Sequence, residues 1–67
     1  MMDGTNRVEF DDVEVIESGG LLVQCRVAGR VVGVPPLRML PGTTVHRAGD
    51  RGRLVLPREV AMKLLLV

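Results

Sequence analysis

The sequence predicts one small, mainly β domain of about five short strands followed by a short C-terminal helix. Polar and apolar side chains alternate over 12–17, Gly and Pro turns recur every few residues, and apolar residues take a helical spacing only after Pro57. Of the 67 residues, 46% are hydrophobic and 25% are charged, which is the composition of a folded chain. A single domain over 1–67 is therefore expected.

The first two strands follow from alternation and a glycine turn. After a flexible segment at 1–7, the strand from Asp12 directs Val13 and Val15 to one face. Ser18-Gly19-Gly20 predicts a turn, because glycine adopts the positive φ that tight hairpins require. The second strand, 21–27, directs four side chains inward, and its cysteine is predicted to be a core residue: Leu21, Val23, Cys25 and Val27.

Turn residues separate the remaining strands. Ala28-Gly29 predicts a tight turn, and the third strand, 30–34, ends before Pro35-Pro36 because proline cannot donate to a sheet ladder. A β-prone run at 43–46 predicts the fourth strand, and 53–56 predicts the last one.

A helix is predicted from Pro57, which suits the first helical position because its missing N–H is not needed there. Helical spacing then groups Val60, Ala61, Leu64 and Leu65 on one side. A helix this short is marginal alone, so it must pack on the sheet or on another subunit. Short strands, frequent turns and one closing helix are typical of a partly open, SH3-like β-barrel.

Several function classes are disfavoured by the composition. One cysteine and one histidine provide neither an internal disulfide nor the usual four ligands of structural zinc. His46 and Asp50 lie four residues apart, but no nucleophile is spaced to join them, so we expect no catalytic residue, cofactor or metal. The lone cysteine and the lack of an apolar run near ~20 residues predict a cytoplasmic protein with no membrane partner.

Charge is divided along the chain, although the net charge is only +1. Residues 1–20 contain one basic and six acidic residues, whereas 21–67 contain eight basic and two acidic residues. Such asymmetry can serve an anionic partner, or it can let an acidic edge of one copy meet a basic edge of another. An ordinary solvated surface is the alternative interpretation.

A cluster of basic residues predicts the binding surface. Eight of the nine Lys and Arg residues are arginine, whose planar group binds phosphate or carboxylate bidentately. With no Trp or Tyr and one Phe, base stacking on a single strand is disfavoured. We expect contact with duplex-DNA phosphates or an acidic protein through Arg30, Arg38, His46, Arg47, Arg51, Arg53 and Arg58. The alternative is that the high arginine content reflects only genome composition.

Self-association is predicted from chain length and from the apolar residues at 64–67. A domain shorter than about 70 residues usually needs a disulfide, a metal or a partner subunit. The predicted homo-oligomer interface consists of Val60, Leu64, Leu65, Leu66 and Val67. The alternative is that this segment packs on its own barrel.

The segment 52–64, GRLVLPREVAMKL, resembles the AbrB/MazE-type swapped-hairpin domain. The shared order is Gly-Arg, an apolar strand, proline, a basic residue, Glu, an apolar residue and a later Leu. The matching residues are Gly52, Arg53, Leu54, Val55, Leu56, Pro57, Arg58, Glu59, Val60 and Leu64. This resemblance implies a dimeric, DNA-binding transcription regulator or antitoxin, with Arg53 and Arg58 at the DNA surface.

Residues 21–66 resemble small uncharacterised phage- and prophage-borne proteins. The shared pattern is a strand ending in Val-Pro, then Gly-Asp-x-Gly-x-Leu-Val-apolar-Pro and an apolar-Ala helix. The matching residues are Val34, Pro35, Gly49, Asp50, Gly52, Leu54, Val55, Pro57, Val60 and Ala61. The leading prediction is thus a non-enzymatic, homo-oligomeric binding module, which would be virion-associated if phage-encoded. A structural or capsid-associated assembly protein is a further alternative.

Overall fold

A computed structural model describes residues 6–67. In this part of the chain the structure contains one sheet, a 3₁₀ turn (Pro36–Arg38) and one short α-helix. They are β1 (Arg7–Glu17), β2 (Val23–Val27), β3 (Arg30–Val34), the 3₁₀ turn, β4 (Arg51–Pro57) and α1 (Arg58–Lys63). All pairs of neighbouring strands are antiparallel, and the strand order is β3-β2-β1-β4. The prediction of a small, mainly β domain with a C-terminal helix is confirmed. Of the segment predicted to be flexible, 1–5 lies outside the described residues, and Arg7 instead begins β1.

A bulge in β1 explains why the sequence placed the start of this strand too late. The register of β1 against β4 shifts between Phe10 and Val13, which inserts one extra residue into β1. Val8 and Phe10 are half-buried before the bulge, whereas Val13 and the next odd-numbered residue are buried after it. Asp12 has a φ of 62° at this point, a conformation that Asp adopts more readily than most non-glycine residues. The bulge thus reverses the alternation within one strand.

Valine dominates the core, as expected for strands, because its branched side chain packs well on a pleated surface. The buried cluster comprises Val13, Val15, Val23, Cys25, Val27, Val34, Val45, Leu54, Leu56 and Val60. The prediction that Cys25 is a core residue is confirmed, and burial raises the pKa of its thiol. Helix α1 packs against β1 and β4 and buries Val60 and Ala61.

The segment 40–44 covers the free edge of β4, where the sequence predicted a separate strand. Leu40 N donates to Val55 O at 2.9 Å, and Thr44 N donates to Arg53 O at 2.9 Å. The Thr43 hydroxyl accepts from Val55 N at 2.9 Å, and the Thr44 hydroxyl accepts from Arg53 N at 3.0 Å. The predicted strand at 43–46 is therefore wrong: this part of the chain satisfies the edge of β4 without joining the sheet as a regular strand.

Two predicted side-chain orientations and the predicted start of the helix also differ from the structure. Leu21 was expected to face inward but is 93% exposed, because β2 begins only at Val23. Pro57 is the N-cap of α1 and the last residue of β4 rather than the first helical residue. Leu65 was expected on the packed side of the helix but is exposed, because a φ of 61° turns the chain there.

Candidate functional site

The solvent-facing side of the sheet pairs the acidic residues of β1 with arginines of its neighbours. Glu14 lies opposite Arg26 of β2 and Arg51 of β4, and Arg26 Nη1 is 3.1 Å from Glu14 Oε1. Arg51 Nε donates to Asp12 Oδ1 at 2.9 Å, which raises the pKa of the Arg51 guanidinium. The acidic and basic parts of the sequence therefore meet within a single copy of the chain.

Arg53 belongs to the same mixed-charge surface. Its Nε lies 3.4 Å from Asp11 Oδ1, and both side chains of this pair are at least half exposed. Exposed ion pairs of this kind contribute about 0–1 kcal/mol, so another anion can replace the carboxylate. The nearby carboxylates also repel such an anion. A phosphate can thus replace the carboxylates that pair with Arg51 and Arg53, but these two arginines do not form a purely basic surface.

The loop 46–50, which we call the Asp50 loop, presents two more basic residues of the predicted cluster, His46 and Arg47. The Asp50 carboxylate oxygen Oδ2 accepts hydrogen bonds from His46 N and Arg47 N, both at 2.9 Å. These bonds, that from His46 first, lower the pKa of Asp50. Asp50 thus bonds the backbone of His46 rather than its imidazole. The two residues stabilise the conformation of the loop and are not arranged as a base and its orienting carboxylate.

Further hydrogen bonds attach the Asp50 loop to β1. Gly49 N donates to Val15 O, and Val15 N donates to Asp50 O, each at 2.9 Å. Ala48 N donates to Ser18 Oγ at 3.2 Å, just beyond the end of β1. Buried Val45 anchors the entry to the loop. The loop is therefore held from several sides while the side chains of His46 and Arg47 remain exposed.

The other predicted basic residues do not belong to the Asp50 loop: Arg30 begins β3, Arg38 follows that strand, and Arg58 begins α1. Arg38 Nη2 is 2.7 Å from Glu59 Oε2, and Arg30 Nη1 donates to Leu65 O at 3.0 Å. Arg58 is exposed at the start of α1. The predicted cluster is thus not one surface: four of its members lie in the Asp50 loop and at the start of β4, whereas Arg30 and Arg38 bond residues of the C-terminal segment.

The predicted apolar interface is partly used by the domain itself. Val60 is 8% exposed, and Leu64 and Leu66 pack against the core. Leu65 and Val67 are more than half exposed. The alternative in which the segment packs on its own domain therefore applies to Leu64 and Leu66, and only part of the proposed interface faces solvent.

Sequence reasoning missed the cross-strand pairing and the role of the two threonines. Arg26 and Glu14 occupy outward positions of neighbouring strands, where opposite charges are often found directly across from each other. This signal was present but required the correct pairing of strands. Thr43 and Thr44 carry no signal of their own, because their role depends on where 40–44 crosses β4.

Within residues 6–67, no group of three or more His, Cys, Asp or Glu side chains could hold a metal ion. No helix in this part of the chain is long and apolar enough to cross a membrane. Comparisons with protein-family models, curated proteins and solved structures find no match for the chain. The geometry of the Asp50 loop and of the sheet surface is therefore the basis for a functional proposal.

Proposed function

We propose that this protein is a non-enzymatic, homo-oligomeric binding module that contacts the phosphates of duplex nucleic acid. The contact is made by His46 and Arg47 of the Asp50 loop, with Arg51 and Arg53 joining by exchange of their carboxylate partners. The observation that carries this proposal is that Asp50 holds the loop through the backbone N–H groups of His46 and Arg47, while the side chains of these two residues are exposed. Its setting in a phage or other mobile element rests only on the resemblance over 21–66.

A fixed loop supports the proposal because ordering a mobile loop upon binding costs free energy. Hydrogen bonds to Val15 and Ser18 already hold the Asp50 loop in the free protein. The carboxylate of Asp50 is engaged by backbone donors, so it is less available to compete for the guanidinium of Arg47. Arg47 can then approach a phosphate with less rearrangement of the chain.

The carboxylates of β1 limit where a duplex can lie. Asp11, Asp12 and Glu14 occupy the sheet surface beside Arg51 and Arg53, and they repel a phosphate backbone laid across that surface. A duplex that contacts the protein at the Asp50 loop, without lying across the sheet surface, avoids most of this repulsion. The proposal therefore assigns the primary contacts to His46 and Arg47.

The proposal includes an SH3-like, partly open barrel as the finer description of the fold. Support comes from the bulged β1, which pairs with β4 along one part and with β2 along another. Further support comes from α1, because its Val60 and Leu64 line the same groove as Gly33 and Pro35 at the end of β3. In this description the helix packs on β1 and β4 and closes one end of the barrel.

Fluorescence anisotropy of a labelled duplex tests the proposal. We expect Arg47→Ala to weaken binding by about fivefold, equal to about 1 kcal/mol, because one phosphate contact is lost. The slope of log affinity against log salt should fall by about 1. Arg26→Ala is the matched control, since it removes another exposed arginine, which pairs with Glu14 on the sheet surface.

Other results of the binding measurements would contradict the proposal or favour a different function. If the wild-type chain fails to bind duplex at low salt, the nucleic-acid proposal is wrong. Binding of poly-glutamate instead would indicate an acidic protein partner. Equal losses for Arg26→Ala and Arg47→Ala would show that the duplex lies across the sheet. A dependence on Arg53 and Arg58 rather than Arg47 would favour the AbrB-like regulator.

A second candidate, a structural or capsid-associated assembly protein, is favoured by exposed apolar side chains. Leu21 and Leu37 are 93% and 96% exposed, and Leu65 is 66% exposed. An apolar side chain this exposed gains free energy when another copy of the chain covers it, at about 25 cal/mol for each Å² removed from water. Sedimentation velocity at increasing concentration should show large particles if this candidate is correct, whereas a fixed small oligomer contradicts it.

A further inference from the structure

Strand β3 forms an open edge of the sheet. Within residues 6–67 it pairs only with β2, and the two-residue turn Ala28-Gly29 makes Val27 and Arg30 a hydrogen-bonded pair. Hydrogen-bonded and non-hydrogen-bonded pairs alternate along antiparallel strands. Val31 and Gly33 therefore direct their backbone N–H and C=O groups away from β2, toward the free edge.

The two edges of the sheet differ in whether a neighbouring segment hydrogen-bonds them. The edge of β4 is covered by 40–44, whose backbone and threonine hydroxyls bond Arg53 and Val55. Among the described residues, none hydrogen-bonds the outward backbone groups of Val31 or Gly33. Val31 is also 55% exposed. An uncovered edge strand without an internal bulge or proline is a template for another strand.

We propose that β3 pairs with β3 of a second copy, antiparallel across a twofold axis, to form a dimer. This deepens the proposed function, because it rests on the homo-oligomeric part of that proposal and names the surface. The register that uses every outward group pairs Val31 with Gly33 of the partner subunit, and Gly33 with Val31 of the partner subunit. It makes four hydrogen bonds and brings the two Val32 residues opposite each other at the axis.

The side chains beside this edge are self-complementary, which is the reason for choosing a second copy. A Cβ at Gly33 would lie 2.8 Å from Leu22 Cδ1, so Leu22 extends over the glycine. In the proposed register, exposed Val31 of one copy lies next to this Leu22 of the other. The groove there, of about 380 Å³, is also lined by Val60 and Leu64. The contact forms twice and closes, which gives a dimer.

Light scattering after size exclusion tests the proposal. The wild-type chain should have twice the 7.3 kDa mass of one chain, and Val31→Pro should have the mass of one chain. Proline removes an outward N–H while the bonds to β2 remain, and proline is tolerated on edge strands. Val31→Lys keeps the N–H but adds charges beside Leu22 of the partner subunit, and it too should be monomeric. Val31→Thr is the control that should stay dimeric.

The outcomes separate this inference from the proposed function. A wild-type dimer with dimeric Val31→Pro or Val31→Lys overturns the β3 interface and leaves self-association at another surface. A wild-type monomer at high concentration overturns the homo-oligomeric proposal as well. If Val31→Pro fails to fold by circular dichroism, Val31→Lys decides the matter.

A disulfide tests the register. Residues opposite each other in a non-hydrogen-bonded pair have Cα atoms about 4.5 Å apart, within the range for a disulfide. Cys25 lies opposite Val32 on β2 of the same chain, so the Val32→Cys variant and its control are both made in a Cys25→Ala chain. Val32→Cys in that chain should therefore form a covalent dimer under mild oxidation. Leu37→Cys, at a 96% exposed position away from β3, should not do so at the same concentration. Equal cross-linking of both variants, or none for Val32→Cys, contradicts the register.

Discussion

Asp50 is the residue on which the conformation of the candidate binding loop depends most directly. Its side chain accepts the N–H groups of His46 and Arg47, and its backbone C=O accepts from Val15. The loop also contains Gly49, whose φ of 95° suits glycine. One carboxylate and one glycine therefore fix a turn that presents two basic side chains.

The pKa of Asp50 gives a prediction at this scale. Because its folded pKa is depressed, the ionised carboxylate stabilises the fold above its ordinary pKa, and this contribution is lost as the pH falls through the lower folded value. Asp50→Asn should therefore have a lower melting temperature than the wild-type chain at neutral pH. The difference should shrink below about pH 4, where the Asp50 carboxylate of the unfolded chain begins to bind a proton, and should disappear once the pH has fallen below the lower folded pKa.

Thermal unfolding between neutral and acid pH provides the measurement. Glu17→Gln is the control, because it removes a carboxylate to which no described backbone N–H donates. A constant difference between the wild-type chain and Asp50→Asn at every pH would contradict the assigned role of Asp50.

At the scale of elements, the main feature is that the two edge strands, β3 and β4, differ in their hydrogen-bond partners. The segment 40–44 hydrogen-bonds the free side of β4 and also lies against the side chain of Val55, because a Cβ at Gly42 would be 3.3 Å from Val55 Cγ2. Val55 is therefore fully buried although it points to the opposite face from Leu54 and Leu56, which face the core. Among residues 6–67, no segment hydrogen-bonds the outer edge of β3 in this way.

Thr43 and Thr44 offer a matched pair of substitutions. Thr43→Val leaves the N–H of buried Val55 without its acceptor, which should cost about 1–3 kcal/mol. Thr44→Val should cost less, because Arg53 and Thr44 are exposed and water can replace the hydroxyl. Urea unfolding of both variants measures the difference. A larger loss for Thr44→Val would contradict the importance of the Val55 contact.

Local patterns predicted some elements well and others poorly. The boundaries of β3 followed directly from the Ala28-Gly29 turn and from Pro35, both of which act through the local backbone. The start of β1 was missed because the bulge at Asp12 reverses the alternation on which the prediction relied. The cover of β4 was missed because it depends on contacts between residues distant in sequence.

Charge neutralisation within one copy is the main feature of the whole molecule. The sequence indicated a division between acidic and basic parts, and strand order determines its consequence. Strand β1 lies between β2 and β4, so its carboxylates meet Arg26, Arg51 and Arg53. The predicted basic cluster could be listed from the sequence, but the partners of its members could not, because Arg38 and Arg30 bond Glu59 and Leu65, which are distant in sequence.

The central claim is that the Asp50 loop contacts the phosphates of duplex nucleic acid. The most direct measurement is a titration of the ¹⁵N-labelled chain with a short duplex, followed by amide chemical shifts. We expect the largest changes at residues 46–50 and at Ser18, which bonds the loop, with smaller changes at Arg51 and Arg53. An unchanged spectrum at low salt, or changes confined to α1, would contradict the claim.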